Sequence, residues 1–444
     1  MNFIKHHTVI PAVNSKGKFY ILINTLNGSV DEITESEKQL IDKWKCGDIS
    51  PVTEDFERDL FDRLKSRAYI VDSECDEEIR YSKIITMCRE RHAARVRRPS
   101  VAFVITYDCN FSCPYCFEKG RGNNSSLITR EMIDKVFEIH GGDLDTICLY
   151  GGEPLLLGNR EIIEYIISKA PDARYSIITN GYFLEEYVPL LERLNIASVQ
   201  VTLDGCEETH DKTRCLRSGS GTYNKIMAGI RTCLSNHIPV KIRMNITSSN
   251  IDNCIEHRER LINEFAEHWS CSALSFELQP VFQANQSEKK SLEALLFEET
   301  LNEVQGTKNN QRNTIISTVL PILDLFLRGK AVKPTYCHCA AEASARYYDS
   351  LGNIYSCIVA VGDTNAAVGA YYPDYSLKKE SMLTRNVEAI PECSRCELAL
   401  ICGGGCAYSA LCEYGTVMHP DCNEIKNALL KDIQKILLSQ DIHV

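Results

Sequence analysis

Three cysteines, Cys109, Cys113 and Cys116, stand in a C-x3-C-x2-C spacing within the stretch CNFSCPYC. At this chain's cysteine frequency such a triplet arises by chance roughly 0.05 times. Soft thiolates at that spacing suit an iron–sulfur cluster or zinc. Structural zinc takes four protein ligands, and no local fourth accompanies the triplet. Three thiolates on a cubane leave one iron open to a substrate or cofactor. A second constellation lies far downstream. Cys393, Cys396, Cys402 and Cys406 are separated by two, five and three residues, and Cys422 follows. That four-cysteine spacing would arise by chance roughly 0.002 times. Cys337, Cys339 and Cys357 precede it, the last five residues after Gly352.

The chain has 444 residues and 21 cysteines. That is too long a chain for a small disulfide scaffold, and the cysteine count is odd. The start, MNFIKHHTVIPAVNSKGKFY, lacks the charged-then-apolar order of an export signal. Reduced thiols holding metal in the cytoplasm are therefore expected. Hydrophobic residues make up 44% and charged residues 25%, which excludes a mostly disordered chain. The net charge of -11 argues against a nucleic-acid binder held by phosphate contacts. No apolar run reaches the ~18 residues of a membrane span.

The elements that must position the cysteines follow from periodicity. Apolar runs at 101–106, 146–150, 173–178, 198–203, 239–245 and 273–280 alternate with helical patterns at 129–140, 160–170, 184–194, 222–236, 253–268 and 291–305. Six β-α units in a row predict a parallel sheet with helices outside, curled by right-handed crossovers into a full or partial barrel. Functional residues then belong at the C-terminal strand ends, where the first triplet falls. Asn245, Glu277 and Gln279 also sit near strand ends, where they either face the site or simply line the barrel.

Residues 1–85 form a smaller α+β unit in this reading. Phe19 to Ile23 is a strand, Asn27-Gly28 a hairpin turn, and Thr34 with Glu37 a capping box opening a helix. Residues 55–66 are a second helix and 68–71 a short strand. A linker at 86–100 gathers Arg89, Arg91, Arg95, Arg97 and Arg98, read as a solvated helix face. The barrel then spans 101–310, a bridging segment 311–336, and a loop-rich cysteine domain 337–444 whose order depends on metal as much as on a core. Cys46, Cys75, Cys88, Cys148, Cys206, Cys215, Cys233, Cys254, Cys271 and Cys412 are expected to pack as small apolar residues.

The ordered set of motifs resembles that of the radical S-adenosylmethionine (SAM) enzymes. It comprises CxxxCxxC with Tyr115 before the last cysteine, Gly151-Gly152-Glu153-Pro154 after the second strand and Thr179-Asn180-Gly181 after the third. Thr202-Leu203-Asp204-Gly205 follows the fourth strand, and His210 to Arg214 comes soon after. The resemblance implies a partial (β/α)6 TIM-like barrel whose triplet holds a [4Fe–4S] cluster. Tyr115, Gly151, Gly152, Glu153, Asn180, Thr202, Asp204 and Arg214 would contact SAM. Within that set, the Gly-Gly-Glu-Pro element would hold the methionine amino group, and the later positions the ribose and carboxylate.

The downstream cysteines resemble the SPASM extension of radical SAM enzymes that modify peptides. By position, Cys393, Cys396, Cys402 and Cys422 would hold a distal auxiliary [4Fe–4S] cluster, and Cys339, Cys357 and Cys406 a proximal one. Cys337 either supplies the proximal cluster's fourth ligand or leaves an iron open for a substrate thiolate. That makes three [4Fe–4S] clusters in all. The N-terminal unit resembles, in pattern only, the winged-helix-like recognition element that binds the leader of a ribosomal precursor peptide at a sheet edge.

These resemblances imply a peptide maturase that generates a 5′-deoxyadenosyl radical and installs thioether crosslinks, as in ranthipeptide and sactipeptide maturation. Flavodoxin or ferredoxin would supply electrons, and the auxiliary clusters would carry away the surplus one. No general base stands out, and no catalytic side chain is assigned. Formylglycine formation of the sulfatase-maturing type and carbon–carbon crosslinking are the rival chemistries. A non-catalytic iron–sulfur electron carrier or scaffold is the rival class, though it has no need of the Gly-Gly-Glu-Pro element.

Overall fold

The computed structural model describes residues 1–14, 17–46, 49, 55–97, 99–122, 126–142, 144–281 and 334–422. The described residues divide between two compact units. One is drawn from Pro99–Ile316 and Ser344–Ser381, the other from Met1–Arg98, Ser317–Ala343 and Met382–Val444.

The chain opens in the second of these. Strand β1 (Asn2–Phe3) is followed by β2 (His7–Asn14), β3 (Gly17–Asn24) and β4 (Val30–Ile33), the last three forming an antiparallel sheet in the order β2-β3-β4. The expected turn at Asn27-Gly28 joins β3 to β4. Helix α1 (Glu35–Lys45) begins on the expected capping box. The Thr34 hydroxyl accepts from the Glu37 N–H at 3.2 Å, and the Glu37 carboxylate accepts from the Thr34 N–H at 2.6 Å. Helix α2 (Asp55–Ser66), β5 (Ile70–Val71) paired to β1, and α3 (Glu74–Arg97) follow. Arg89, Arg91, Arg95 and Arg97 of the basic run thus lie on a continuous 24-residue helix, and Arg98 lies outside the described residues.

Alternation along β3 gives its sheet two apolar faces. Leu22 and Ile33 pack with Ile41, Trp44, Leu60 and Leu64 of the helices. Phe19, Ile21 and Ile23 turn the other way, onto Leu398, Ile401, Cys396 and Cys402 from late in the chain.

The other unit holds the predicted strand-helix alternation. Its elements are β6 (Ser100–Val104), α4 (Arg130–Ile139), β7 (Thr146–Tyr150), α5 (Arg160–Lys169), β8 (Arg174–Thr179), α6 (Leu184–Leu191) and β9 (Asn195–Thr202). They continue with α7 (Glu207–Thr213), α8 (Tyr223–Ser235), β10 (Val240–Ile246), α9 (Ile251–Glu264), α10 (Ala266–Ser270) and β11 (Leu274–Pro280). Strands β6 to β11 pair in parallel in sequence order. The helix expected over 291–305 lies outside the described residues.

Along β10, Val240, Ile242, Met244 and Ile246 are buried, while Lys241, Arg243 and Asn245 alternate with them and are partly exposed. Apolar stripes such as Met132, Ile133, Val136 and Phe137 of α4 are buried as well.

Four later strands extend this sheet: β12 (Ala345–Asp349), β13 (Asn353–Tyr355), β14 (Gly369–Ala370) and β15 (Ser376–Leu377). β12 pairs in parallel with β6, from Ala345 opposite Ser100 to Asp349 opposite Val104. The result is one ten-stranded sheet, β11-β10-β9-β8-β7-β6-β12-β13-β14-β15. The Tyr107 hydroxyl donates to the Asp349 carboxylate at 2.8 Å and ties the addition to the barrel interior.

The remaining helices, α11 (Ala399–Cys402) and α12 (Ala407–Tyr414), belong to the N-terminal unit. None of the 21 cysteines forms a disulfide. Cys88, Cys233 and Cys254 are buried as expected, but Cys46, Cys75, Cys271 and Cys412 are exposed, so the apolar-packing expectation fails for those four. No described helix is long and apolar enough to cross a membrane.

Candidate active site and cluster-binding cysteines

A pocket of about 950 Å³, counted out to its open mouth, lies at the C-terminal ends of β6 to β11. Cys109, Cys113 and Cys116 line it together. Their loop leaves β6 and is pinned along its length. The Cys109 sulfur accepts from the Phe111 N–H at 3.4 Å. Phe111 forms an isolated bridge with Leu216, and Asp108 pairs with Arg217 at 2.7 Å. Burial pushes the Cys109 thiol up to about 12, with Glu153 adding to the effect. A metal that replaces the proton removes that penalty, because a coordinated thiol is deprotonated outright.

Gly151 and Gly152 make the floor, and their lack of side chains is a steric requirement. A Cβ on Gly151 would stand 2.4 Å from the Thr106 carbonyl oxygen, and one on Gly152 2.5 Å from that of Asp108. Close approach lets the Gly152 and Glu153 N–H groups donate to those same carbonyls, at 2.9 and 2.8 Å. Glu153 then turns away from the pocket. Its fully buried carboxylate accepts from the Leu155 N–H (2.8 Å), the Thr179 hydroxyl (2.6 Å) and the Asn180 N–H (2.6 Å). It thereby ties the β7 loop to the β8 loop. Asn180 points its amide at the Asn110 side chain (2.8 Å) and lines the pocket.

Tyr115, Asp204 and Arg214 form a hydrogen-bonded triad in which Asp204 and Arg214 are buried and Tyr115 is half-buried. The Tyr115 hydroxyl donates to Asp204, and Arg214 donates to the Tyr115 oxygen at 2.9 Å. Asp204 also accepts from the Asn245 N–H at 3.0 Å, which fixes it to β10. Burial pushes its carboxyl up while Arg214 draws it back.

Arg214 itself is positioned by the short helix before it. His210 Nδ1 accepts from the Asp204 N–H at 3.2 Å, and Thr222 donates its hydroxyl to the Arg214 carbonyl at 2.5 Å. The 3.1 Å contact from His210 Nε2 to that hydroxyl therefore has the ring as donor. These roles fix a neutral imidazole, and burial with the nearby Arg214 charge holds its pKa down at about 2. The Nε of Arg214 is buried with no protein partner, a charged donor left for a ligand. Three pocket-lining thiols, a glycine cradle and this orphaned donor fit a cluster with a carboxylate-bearing cosubstrate beside it.

Other pocket residues escaped the sequence reading. Glu118, two positions after the last cysteine, lines the site, and burial pushes its carboxyl up to about 7. Gln200 and Arg243 line it from β9 and β10. Alternation along those strands was the signal that could have found them. Of the three strand-end candidates only Asn245 lines the pocket. Glu277 is buried beneath it between Lys241 (3.5 Å) and Arg243 (3.4 Å), and Gln279 is not among the lining residues.

In the other unit the late cysteines draw together. The Cys393 thiol is pushed up to about 12 by burial and by the neighbouring thiols of Cys402, Cys396 and Cys422. Burial pushes Cys402 up to about 11, with Cys422 and Cys396 contributing. Cys339 and Cys406 each cap a short helix, and the Cys406 sulfur accepts from the Ser409 N–H at 3.5 Å. Cys337 faces Nδ1 of His92, on α3, at 3.6 Å. Cys357 belongs to the barrel unit, just before a single 3-10 turn at Ile358–Ala360. Among the described residues no three Cys, His, Asp or Glu side chains meet closely enough to share a single ion.

Comparison with known proteins agrees with this geometry. Residues 103–261 match the Radical SAM superfamily. The sporulation killing factor maturation protein SkfB of Bacillus subtilis is 29% identical over 167 residues, 37% of this chain and 40% of SkfB. The match thus spans less than half of that relative. A cysteine-type anaerobic sulfatase-maturating enzyme of Clostridium novyi is 24% identical over 358 residues, 74% of this chain and 93% of its own. The crystal structure of Streptococcus suis SuiB bound to S-adenosylmethionine superposes with a TM-score of 0.53 at 15% identity. It covers 94% of this chain and 98% of its own. Strand order, thiol loop and glycine cradle agree with the family match, which assigns residues 103–261 of the barrel to the radical SAM superfamily.

Proposed function

We propose that this protein is a radical SAM peptide maturase that installs thioether crosslinks in a ribosomally made precursor. The carrying observation is the single pocket in which Cys109, Cys113 and Cys116 face the Gly151-Gly152 floor and the Tyr115–Asp204–Arg214 triad. A cluster on the three thiolates, with SAM on its open iron, would supply a 5′-deoxyadenosyl radical, chemistry that belongs to the cofactor. The chain's own part is to bind, orient and enclose.

Arg214 offers its unpartnered Nε to the methionine carboxylate. Asp204 and Tyr115 hold that guanidinium still, so no side-chain ordering is left for the moment of binding. The floor gives SAM a surface at which backbone carbonyls can approach its amino group. Ile178, Val281, Ile358 and Val359 line the pocket as well, and their apolar walls limit water around a radical. Thr202 and Asn180 line the same site and supply polar contacts for ribose and methionine.

The names of the relatives support a peptide substrate: SkfB is a maturation protein, and SuiB has also been solved with its precursor peptide SuiA. In this reading the β2-β3-β4 sheet receives the leader, and Cys393, Cys396, Cys402 and Cys422 hold an auxiliary cluster. A further cluster draws on Cys339, Cys406 and Cys357, with Cys337 completing it or leaving its iron to a substrate thiolate. A flavodoxin or ferredoxin delivers the electron.

Anaerobic incubation with SAM and dithionite tests the radical chemistry: 5′-deoxyadenosine and methionine must appear. Mass spectrometry of a co-expressed precursor then separates the products. A thioether removes two hydrogens and one free thiol. A carbon–carbon bridge removes two hydrogens and spares the thiols. Formylglycine leaves an aldehyde and no bridge. Either of the last two outcomes overturns the thioether assignment.

A further inference from the structure

The segments that bear the late cysteines meet on one buried ion pair. Arg385 and Glu342 are both fully buried, and Arg385 Nη1 donates to Glu342. The other carboxylate oxygen accepts from the Cys339 N–H at 3.1 Å. Arg385 also donates Nη1–H to the Gly405 carbonyl (2.7 Å) and Nη2–H to those of Gly404 (2.6 Å) and His419 (3.2 Å). Its Nε–H goes to the carbonyl of Val417 (2.6 Å). A guanidinium has five N–H donors in a fixed fork, and every one is engaged.

What the fork grips is the loop between two proposed ligands. Gly403, Gly404 and Gly405 fill the gap from Cys402 to Cys406, all with positive φ (69°, 90° and 73°). A Cβ on Gly403 would meet the His338 nitrogen at 2.6 Å, and one on Gly405 the Asp421 carbonyl oxygen at 2.1 Å. The Asp421 N–H donates to the Gly404 carbonyl at 3.0 Å. The glycine loop is therefore pressed between the Cys337–Cys339 segment and the segment leading to Cys422. The Arg385 charge also reaches the thiols of Cys393 and Cys337. Buried ion pairs add little net stability, but removing one partner leaves an uncompensated buried charge and is strongly destabilising.

We propose that the Glu342–Arg385 pair is the positioning device of the auxiliary iron–sulfur region, setting the register of Cys402 and Cys422 of one cluster and of Cys339 and Cys406 of the other, and biasing the potentials of those clusters. This rests on the reading that those cysteines bind iron–sulfur clusters. Lysine keeps the charge but has three donors on a flexible stem, and cannot span these carbonyls.

The test uses the full chain carrying Cys109→Ala, Cys113→Ala and Cys116→Ala, so that all remaining iron is auxiliary. After anaerobic reconstitution this parent must bind iron and give a reduced-cluster EPR signal. If it does not, the underlying reading fails and the proposal with it. In that background R385K and R385M should each lose at least half of the iron and alter the EPR line shape. E342Q should keep more iron but shift the midpoint potential upward, since a negative charge beside the cluster is gone. In the otherwise unaltered chain, R385K should leave the SAM-dependent cluster signal intact. Full iron with unchanged line shape and potential in R385K and E342Q would overturn the proposal. So would equal loss of both kinds of cluster in R385K, which would mark a general role in folding.

Discussion

Cys109, Cys113 and Cys116 hang from β6, whose residues 101–104 are buried and hydrogen-bonded to a strand on either side. Cys393, Cys396, Cys402, Cys406 and Cys422 hang from one-turn helices, α12 and bare loop. The first set inherits its geometry from a sheet that would exist without it. The second is arranged by three left-handed glycines and a buried ion pair and, in the proposed reading, by the clusters its thiols would hold. A metal site can thus rest on a finished scaffold or be part of the scaffold itself, and the two should respond differently to the same insult.

The largest contrast is expected from deletion of ligands. Cys109→Ala, Cys113→Ala or Cys116→Ala should each abolish SAM cleavage, read as 5′-deoxyadenosine formed, while most of the iron bound elsewhere stays in place. Residual cleavage in any of the three would break the assignment of the first set. Next comes removal of iron by a chelator under reducing conditions. Amide exchange in residues 382–422 should accelerate by at least tenfold, whereas exchange in β6 to β10 should change little. Equal acceleration in both regions would erase the distinction.

A smaller effect is expected from glycine substitutions. Gly152→Ala drives a methyl onto two backbone carbonyls and should destabilise by about 1–3 kcal/mol, with SAM affinity falling too. Gly415→Ala meets the opposite case, left-handed strain at a φ of 74° with open space around it. It should lower stability by about 1–2 kcal/mol and leave SAM binding alone. The two are separated by melting curves with and without SAM.

The last contrast concerns acid. His210 stays neutral in the fold down to about pH 2, whereas its ordinary pKa is 6.5. The unfolded chain therefore takes up the extra proton as pH falls below 6.5. The stability that His210 contributes is fully present above that pH and is lost below it, at up to about 1.4 kcal/mol per pH unit. His210→Gln should flatten the stability profile of the barrel between pH 6 and 4. An unchanged slope would show that His210 titrates normally.

Much of this was legible in the sequence where local pattern decides structure. The runs at 146–150 and 239–245 became β7 and β10 within a residue, because β-branched and apolar residues recurring on the buried face of a strand mark it locally. Cysteine spacing located both metal candidates, since thiols have few other reasons to recur at such intervals. The misses are long-range. Nothing in Ala-Arg-Tyr-Tyr-Asp announces that β12 joins β6 some 240 positions upstream, because parallel pairing is chosen by topology. Arg385 sits in no motif, since its five acceptors come from three separate stretches of chain. Glu153 carried a signature but not its posture. The motif reading aims it at the cofactor, while the fold bends its carboxylate inward onto Thr179 and Asn180.

The union of β6 with β12 also bears on synthesis. A ribosome delivers the chain from its N-terminus at about 5–20 residues per second. β6 to β11 thus leave the tunnel well before Ala345, with one flank of β6 lacking its eventual neighbour. For tens of amino acids' worth of translation that flank is an unclaimed row of peptide groups, open to chaperones, to a neighbouring nascent chain or to premature pairing. Only when residues 345–349 have emerged can β12 shut it, so the barrel that cradles Cys109, Cys113 and Cys116 is completed about 65 residues of translation after β11.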